Sequence, residues 1–372
     1  MPLRIPTWPP QWPEIEACVV RSIRSGEWGN YHSQACESLC DDLARRFQVR
    51  HVRLCCSGSA AVEIALRAAG IGPGDEVILS AFDYPGNFRT AELLGARPVL
   101  IDLAPDSVRM SVENLQAAGS GRVKAVIASH LFGVPADIGR IRQWCDDQGW
   151  VLIEDACQVP GMQIEIPPGE QSEGRSDLLS PAGSLGHFGT LSFGGSKPLT
   201  AGNGGALLTN DPRLAARLGP LLDRPSDVMP LSPLQAAALR PQLDRLDETN
   251  RRRRATVDFI QSHVVPRLGR WQWLSPTDPS VSPSYYKTAW AAEDEGHRQR
   301  ILQESARLGL PIGEGFKSMT RCSERRCRKP ASLPHAERIG NTLFVLDHTA
   351  LLVDADQYPT LAEALIDLHD AT

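Results

Sequence analysis

Lys197 stands in FGTLSFGGSKPLTAGNGG (188–205), between two apolar runs and among small residues. Small residues let a flat ring approach the backbone. A lysine held there can condense with an aldehyde, the more readily when burial depresses its pKa. Asp155 stands in VLIEDACQ (151–158), where three apolar residues lead into two carboxylates at the C-terminal end of a strand. Ligands of open α/β sheets bind at that end, and an ionised carboxylate there can keep a heteroaromatic ring nitrogen protonated, which makes the ring an electron sink. SGSAA (57–61) directly precedes a helical pattern. Backbone N–H groups and a hydroxyl at a helix N-terminus form an anion site, so a phosphate could sit on Ser59 and Ala60. Each segment also has an ordinary reading: an exposed loop lysine, a carboxylate capping a turn, a serine N-cap. Taken in order, about 96 and then 42 residues apart, the three specify more than any one alone.

The elements that must position these residues alternate. EVILSA (76–81), RPVLIDL (97–103), the start of VKAVIASHLFG (123–133), WVLIEDA (150–156), HFGTLSFGG (187–195) and GGALLTN (204–210) read as strands, with HVRLCCSGS (51–59) a further strand entering a turn. AAVEIALRAAG (60–70), NFRTAELLG (87–95) and ADIGRIRQWCDDQG (136–149) read as helices between them. Apolar strands separated by amphipathic helices predict an α/β fold, a mostly parallel sheet covered on both faces. SQACESLCDDLARRF (33–47) is a helix that Ser33 can cap. The Pro- and Trp-rich residues 1–32 read as an arm, residues 33–245 as the large domain and 246–372 as a smaller α/β domain. The boundary falls inside a long helix over 234–264 that Pro241 should kink or break. Residues 167–186 read as a surface loop. Arginines 251–254 read as a solvated, ion-paired helix face, given Asp244, Asp247 and Glu248 close by.

The length of 372 residues suits two domains, and 42% hydrophobic with 22% charged residues is an ordinary globular composition. A net charge of −5 argues against nonspecific binding to nucleic acid or an anionic membrane. The N-terminus has no apolar targeting core, and no apolar run reaches the ~18–20 residues of a membrane span, so a cytoplasmic location is expected. Nine cysteines at irregular spacing, without a CxxC pair, read as reduced thiols rather than a metal site.

SGSAAVEIALRAAGIGPGDEVI (57–78), GARPVLIDL (95–103), VKAVIASHLFG (123–133), VLIEDACQ (151–158), SFGGSKPLTAGNGGALLTND (192–211) and LQAAALRPQLDRLDETNRRR (234–253) together resemble the DegT/StrS family of sugar and aminocyclitol aminotransferases, which depend on pyridoxal 5′-phosphate (PLP). That resemblance implies PLP fold type I, the aspartate aminotransferase-like architecture. Carried over by position, Lys197 resembles the Schiff-base lysine and the base that moves a proton between the substrate Cα and the cofactor C4′. Asp155 resembles the pyridinium partner and Gln158 the residue that hydrogen-bonds the ring hydroxyl. Tyr84 falls where the family places a ring-stacking aromatic. Ser192 resembles a phosphate ligand beside Gly58, Ser59 and Ala60. His130 aligns with a family histidine, with a structural role equally open. The family also implies a small-molecule amino donor, glutamate or glutamine, a ketone acceptor such as a keto-sugar or keto-cyclitol, and a homodimer.

The sequence departs from the family in three places. LLDRPSDVMPLSPLQAA (221–237) is shorter than the family's loop and lacks the Asn that reaches the neighbouring subunit's phosphate, Val228 falling near its place. Asn203 replaces the usual acid of a GEGG motif. GFKSMTRCSERRCRKP (315–330) replaces a segment that often helps hold a nucleotide-sugar, and one of its arginines could supply the missing phosphate contact. These changes leave open another PLP reaction on the same scaffold (dehydration, elimination or oxidation) and a non-catalytic regulator.

Overall fold

The computed structural model describes residues 3–165, 179–222, 228–276 and 281–372. Its central sheet has seven strands: β1 (His51–Cys55), β2 (Glu76–Ser80), β3 (Arg97–Ile101), β4 (Val123–Ser129), β5 (Val151–Asp155), β6 (Phe188–Ser192) and β7 (Gly205–Thr209). The spatial order is β1-β7-β6-β5-β4-β2-β3. Strands β3, β2, β4, β5 and β6 are parallel, while β7 runs antiparallel to both its neighbours. The mostly parallel α/β sheet expected from the sequence is therefore present.

The period-two alternation of strand side chains builds a core on each face. Val77, Leu79, Ile127 and Ile153 join one cluster with the helix Gly58–Ala68. Ile78, Val126, Ala128 and Leu152 join the other with the helix Gln34–Arg46, which Ser33 caps through the Cys36 N–H. The same alternation sends Asp155 to the face of Ile153 and Glu154 to the face of Leu152. It thereby puts Asp155 on the side that the anion-turn helix covers.

A third core draws on residues 257–368. It backs an antiparallel sheet of the strands Gln272–Trp273, Lys287–Ala291, Leu343–Asp347 and Ile312–Glu314, in that order. A short ribbon pairs Gln163–Glu165 with Leu179–Pro181 and Val281–Ser282. The expected loop over 167–186 thus holds a strand at 179–181, while residues 166–178 lie outside the described residues.

The arm adds detail to the expectation, and two further expectations, on Pro241 and on the arginine run, are corrected. The arm contains a helix, Pro13–Ser25, and Leu3 and Ile5 pack on the third core. The helix at 233–244 passes through Pro241 and the chain breaks at Arg245 instead, whose ψ of 2° separates it from the helix Leu246–His263. The arginine run does not lie wholly in solvent. Arg251 pairs with Glu248 and Arg252 with Asp354, but Arg253 is fully buried and donates to Asn250 and His348.

The basic segment 315–330 seals a sheet edge. Its Arg328 donates its N–H to Pro98 and accepts from Leu100, extending the sheet beyond β3, and its guanidinium meets the buried carboxylate of Glu76. Covering an edge strand removes a template for pairing with other chains. Arg326 grips Glu92 through two nitrogens. Both guanidiniums are engaged away from their own chain's anion turn.

Candidate active site

The C-terminal ends of β5 and β6 open on a cavity of about 350 Å³. Ser57, Gly58, Ser59, Tyr84, Asp155, Gln158, Ser192 and Lys197 line it. The residues singled out from three distant stretches of sequence therefore share one wall, as the crossover connections of a parallel sheet require.

Lys197 follows β6 in a turn closed by its own N–H to the Gly194 carbonyl at 2.9 Å. Burial lowers its amine below the usual lysine range, opposed by Cys157, Asp155 and Tyr84. A lowered pKa yields the neutral amine that attacks a carbonyl. The amine lies 4.3 Å from the centre of the Tyr286 ring, whose hydroxyl is 3.0 Å from Ser196 Oγ. From the arm, Trp8 donates its indole N–H to the Lys197 carbonyl, and its ring meets His348 edge-on. His348 in turn lies 3.2 Å from the Ser196 carbonyl. The lysine turn is thus held from both ends of the chain.

At the anion turn, Ser57 caps the helix by accepting the Ala60 N–H at 3.0 Å. Ala60, expected among the phosphate donors, gives its N–H to that hydroxyl, which leaves the turn at Gly58 and Ser59 to face the cavity. A Cβ on Gly58 would come within 2.7 Å of the Ser192 side chain. Glycine there lets Ser192 close on the turn, so hydroxyl and N–H donors converge. Val228 is 83% exposed, and residues 223–227 of its loop lie outside the described residues.

Asp155 is buried and accepts from Asn87 Nδ2 (3.0 Å) and the Cys157 N–H (3.1 Å). Gln158 accepts the Phe132 N–H through Oε1 at 2.9 Å, which fixes its amide at the cavity wall. The Tyr84 ring is 5.7 Å from that of Phe316. Gly86 makes room for it, since a Cβ there would sit 2.2 Å from the Tyr84 ring.

His130 lies outside the cavity lining. Its Nδ1 accepts the Ala136 N–H, so the ring proton sits on Nε2 and goes to Glu154 at 2.9 Å. Glu154 also accepts from Gly183, Leu185 and Gly186. Burial pushes its pKa up, but His130 and these N–H groups outweigh it and hold the carboxyl below its usual 4.5. A depressed carboxylate adds stability that is complete above the ordinary pKa and is lost as pH falls through the folded-state value. Glu154→Ala should cost about 3–5 kcal/mol, because it strands a buried histidine and three N–H groups. Denaturant midpoints at pH 7 check this. A loss under 1 kcal/mol would show that the cluster does not hold the turn.

Sequence reasoning missed Tyr286, Phe316, Asn87 and Trp8. Tyr286 in SYYKTAW precedes a strand exactly as a core tyrosine would, and only the packing of the C-terminal sheet turns it to the lysine. The run of aromatics in the arm was the one available signal for Trp8.

The residues present suit PLP. An anion turn, a buried amine of lowered pKa and a buried carboxylate bordering one cavity match its phosphate, its aldehyde and its ring nitrogen. Among the described residues Asp155 has no ion-pair partner, so the seat has a place for a cation.

The sequence profile of the DegT/DnrJ/EryC1/StrS aminotransferase family matches residues 12–363. The chain belongs to this family. It is a PLP-dependent aminotransferase of fold type I. The L-glutamine:2-deoxy-scyllo-inosose aminotransferase of Streptomyces kanamyceticus is 30% identical, over 96% of this chain and 92% of the relative. The GDP-perosamine synthase of Caulobacter vibrioides is 33% identical, over 73% of each. The crystal structure of 3-amino-5-hydroxybenzoic acid synthase superposes over the whole of both chains with a TM-score of 0.85 at 22% identity, which shows the shared fold. No helix among the described residues is long and apolar enough to cross a membrane.

Proposed function

We propose that this aminotransferase moves an amino group from glutamine or glutamate to a keto-cyclitol or keto-sugar of secondary metabolism, acting as a cytoplasmic homodimer. The observation that carries the reading is the Lys197 amine, buried and of lowered pKa, in one cavity with Asp155 and the Gly58–Ser59 turn. Similarity over nearly the full length to an enzyme named for glutamine and a keto-cyclitol supports the donor and acceptor. The division into arm (1–32), cofactor domain (33–245) and small domain (246–372) goes with this reading, and Tyr286 and Phe316 are the small domain's contribution to the cavity.

When bound, PLP supplies an electron sink that stabilises negative charge at the substrate Cα. The turn at Gly58 and Ser59, with Ser192, would hold the phosphate; Asp155 would keep the ring nitrogen protonated; Gln158 would face the ring hydroxyl. Tyr84 would cover one face of the ring. Lys197, released from the cofactor, would carry the proton from the donor's Cα, its neutral amine being the form able to accept it. Tyr84, Tyr286 and Phe316 give the cavity mouth an apolar rim, while Ser196 and Asn203 supply neutral hydrogen-bonding groups. Lys197 is the only cation among the described lining residues, which favours a polyol ring over a substrate carrying a diphosphate. Ile23, Trp28, Tyr31, Leu93 and Val228 are large apolar residues at least half exposed, apolar surface that a second copy would cover in part.

The test is the absorbance spectrum of the PLP-loaded protein before and after excess L-glutamine or L-glutamate. The visible band of the lysine-bound cofactor should give way to the near-ultraviolet band of the amine form, and a keto-cyclitol should restore it. A spectrum that neither donor changes would instead point to a lyase or oxidase chemistry on the same scaffold. Mass in solution by light scattering tests the dimer.

A further inference from the structure

Behind the cavity wall lies a second acid that the reaction outlined above does not use. Asp83 is 1% exposed, in the segment between β2 and the helix Pro85–Leu93. It accepts the Tyr84 N–H at 2.6 Å. One amide nitrogen, Asn87 Nδ2, touches Asp155 Oδ2 (3.0 Å), Ser129 Oγ (3.2 Å) and Asp83 Oδ1 (3.5 Å). Asn87 Nδ2 can give its two hydrogens to Asp155 and Ser129, and the Ser129 hydroxyl passes its own to Asp83, so one neutral amide and one hydroxyl bridge two buried carboxyls with no cation between them.

The groups around Asp83 offer no compensating cation. Asp155 faces it from the end of β5, Ser129 from the end of β4 and Asn87 from the helix after it, and the strand residue Ala81 is met by the neutral Ser318 and Met319. His130, next to Ser129, is closed with Glu154. On the cavity side, Lys197 and Cys157 lie toward Asp155. Among the described residues neither acid forms an ion pair. Two carboxylates that share a buried site cannot both ionise cheaply.

We propose that Asp83 is a second carboxyl of the ring-nitrogen seat, a positioning residue that holds a proton while the seat is empty and releases it when a protonated ring nitrogen binds beside Asp155. This rests on the PLP reading of the site. Burial, with the charge of Asp155 adding to it, pushes Asp83 up to about 7. Arrival of a cationic ring removes the reason for the proton. Asp83 ionises, its proton leaves for solvent, and the seat then carries two negative charges against one positive ring. Cofactor held this way is bound more tightly as pH rises toward 7 and keeps its nitrogen protonated at higher pH than Asp155 alone would allow.

Pyridoxamine 5′-phosphate is the right probe, because it carries the ring nitrogen but no aldehyde and so leaves Lys197 free. Calorimetric titrations in two buffers of different ionisation enthalpy count the protons exchanged on binding. At pH 6, wild type should take up about one proton fewer than Asp83→Asn, and the difference should vanish by about pH 9. As pH is lowered from 7 toward 6, wild-type affinity should fall up to about tenfold per pH unit more steeply than that of the variant. Equal proton counts at every pH would overturn the proposal. A merely structural role for Asp83 would change affinity but not this difference in stoichiometry. If Asp83→Asn does not fold, infrared difference spectra of wild type decide it: binding should bleach the C=O stretch of a buried protonated carboxyl, and no bleaching rejects the proposal. Failure of wild type to bind the probe at all would sink the cofactor reading itself, and this inference with it.

Discussion

Lys197→Ala should bind PLP without the visible band of the covalent link and should lose turnover by about a thousandfold or more. Two roles vanish together. The covalent anchor goes, so the cofactor is held by its phosphate and ring contacts alone. The group that moves the proton goes as well, and general base catalysis by a placed side chain contributes roughly 10²–10⁴-fold. The rest of the seat should survive, because the turn is held by its own backbone bond to Gly194 and by contacts that do not use the lysine side chain: Trp8 to the Lys197 carbonyl and His348 to the Ser196 carbonyl. Pyridoxamine 5′-phosphate should therefore still bind the variant. An unchanged visible band would mean that another lysine holds the cofactor. A small amine added to the assay should restore part of the rate if the missing function is a base in a preformed space.

Asp155→Ala should keep some cofactor and lose roughly a hundredfold or more of turnover. Removing one preorganised electrostatic group from a water-poor site costs about that much, and here the lost charge is the one that makes the ring an electron sink. The substitution also frees Asn87 Nδ2 and the Cys157 N–H, so part of the loss will be local order. Asp155→Asn separates the two effects. It keeps a side chain of the same shape but not the negative charge, so a rate as low as that of the alanine variant assigns the loss to charge. Near-wild-type turnover in either variant would remove Asp155 from the ring-nitrogen role.

The sequence by itself placed Lys197, Asp155 and the SGSAA turn. Each sits where local pattern and chemistry coincide: a strand end, a helix start, or a turn of small residues between two strands. The alternation of apolar runs and amphipathic helices likewise determined the parallel sheet, because period-two and period-3.6 patterns dictate which faces must be buried. It did not determine what lies across the cavity. Tyr286 and Phe316 come from the C-terminal third, and Trp8 from the arm, and nothing in their neighbourhoods distinguishes a cavity side chain from a core one.

Tertiary structure also decided the fate of charges that looked alike in sequence. Glu154 and Asp155 are adjacent, yet the strand's pleat sends one to His130 and a backbone turn and the other to the cavity. Arg253 sits in a run of four arginines and is the one that is buried, because the helix turns it alone toward Asn250 and His348. Asp83 belongs to no motif singled out in the sequence, and only the convergence of β2, β4 and β5 at their C-terminal ends brings it to the same amide as Asp155. A residue's chemistry is legible from its type and its neighbours in sequence. Its proton, its partner and its exposure depend on groups that the chain brings together from tens to hundreds of residues away.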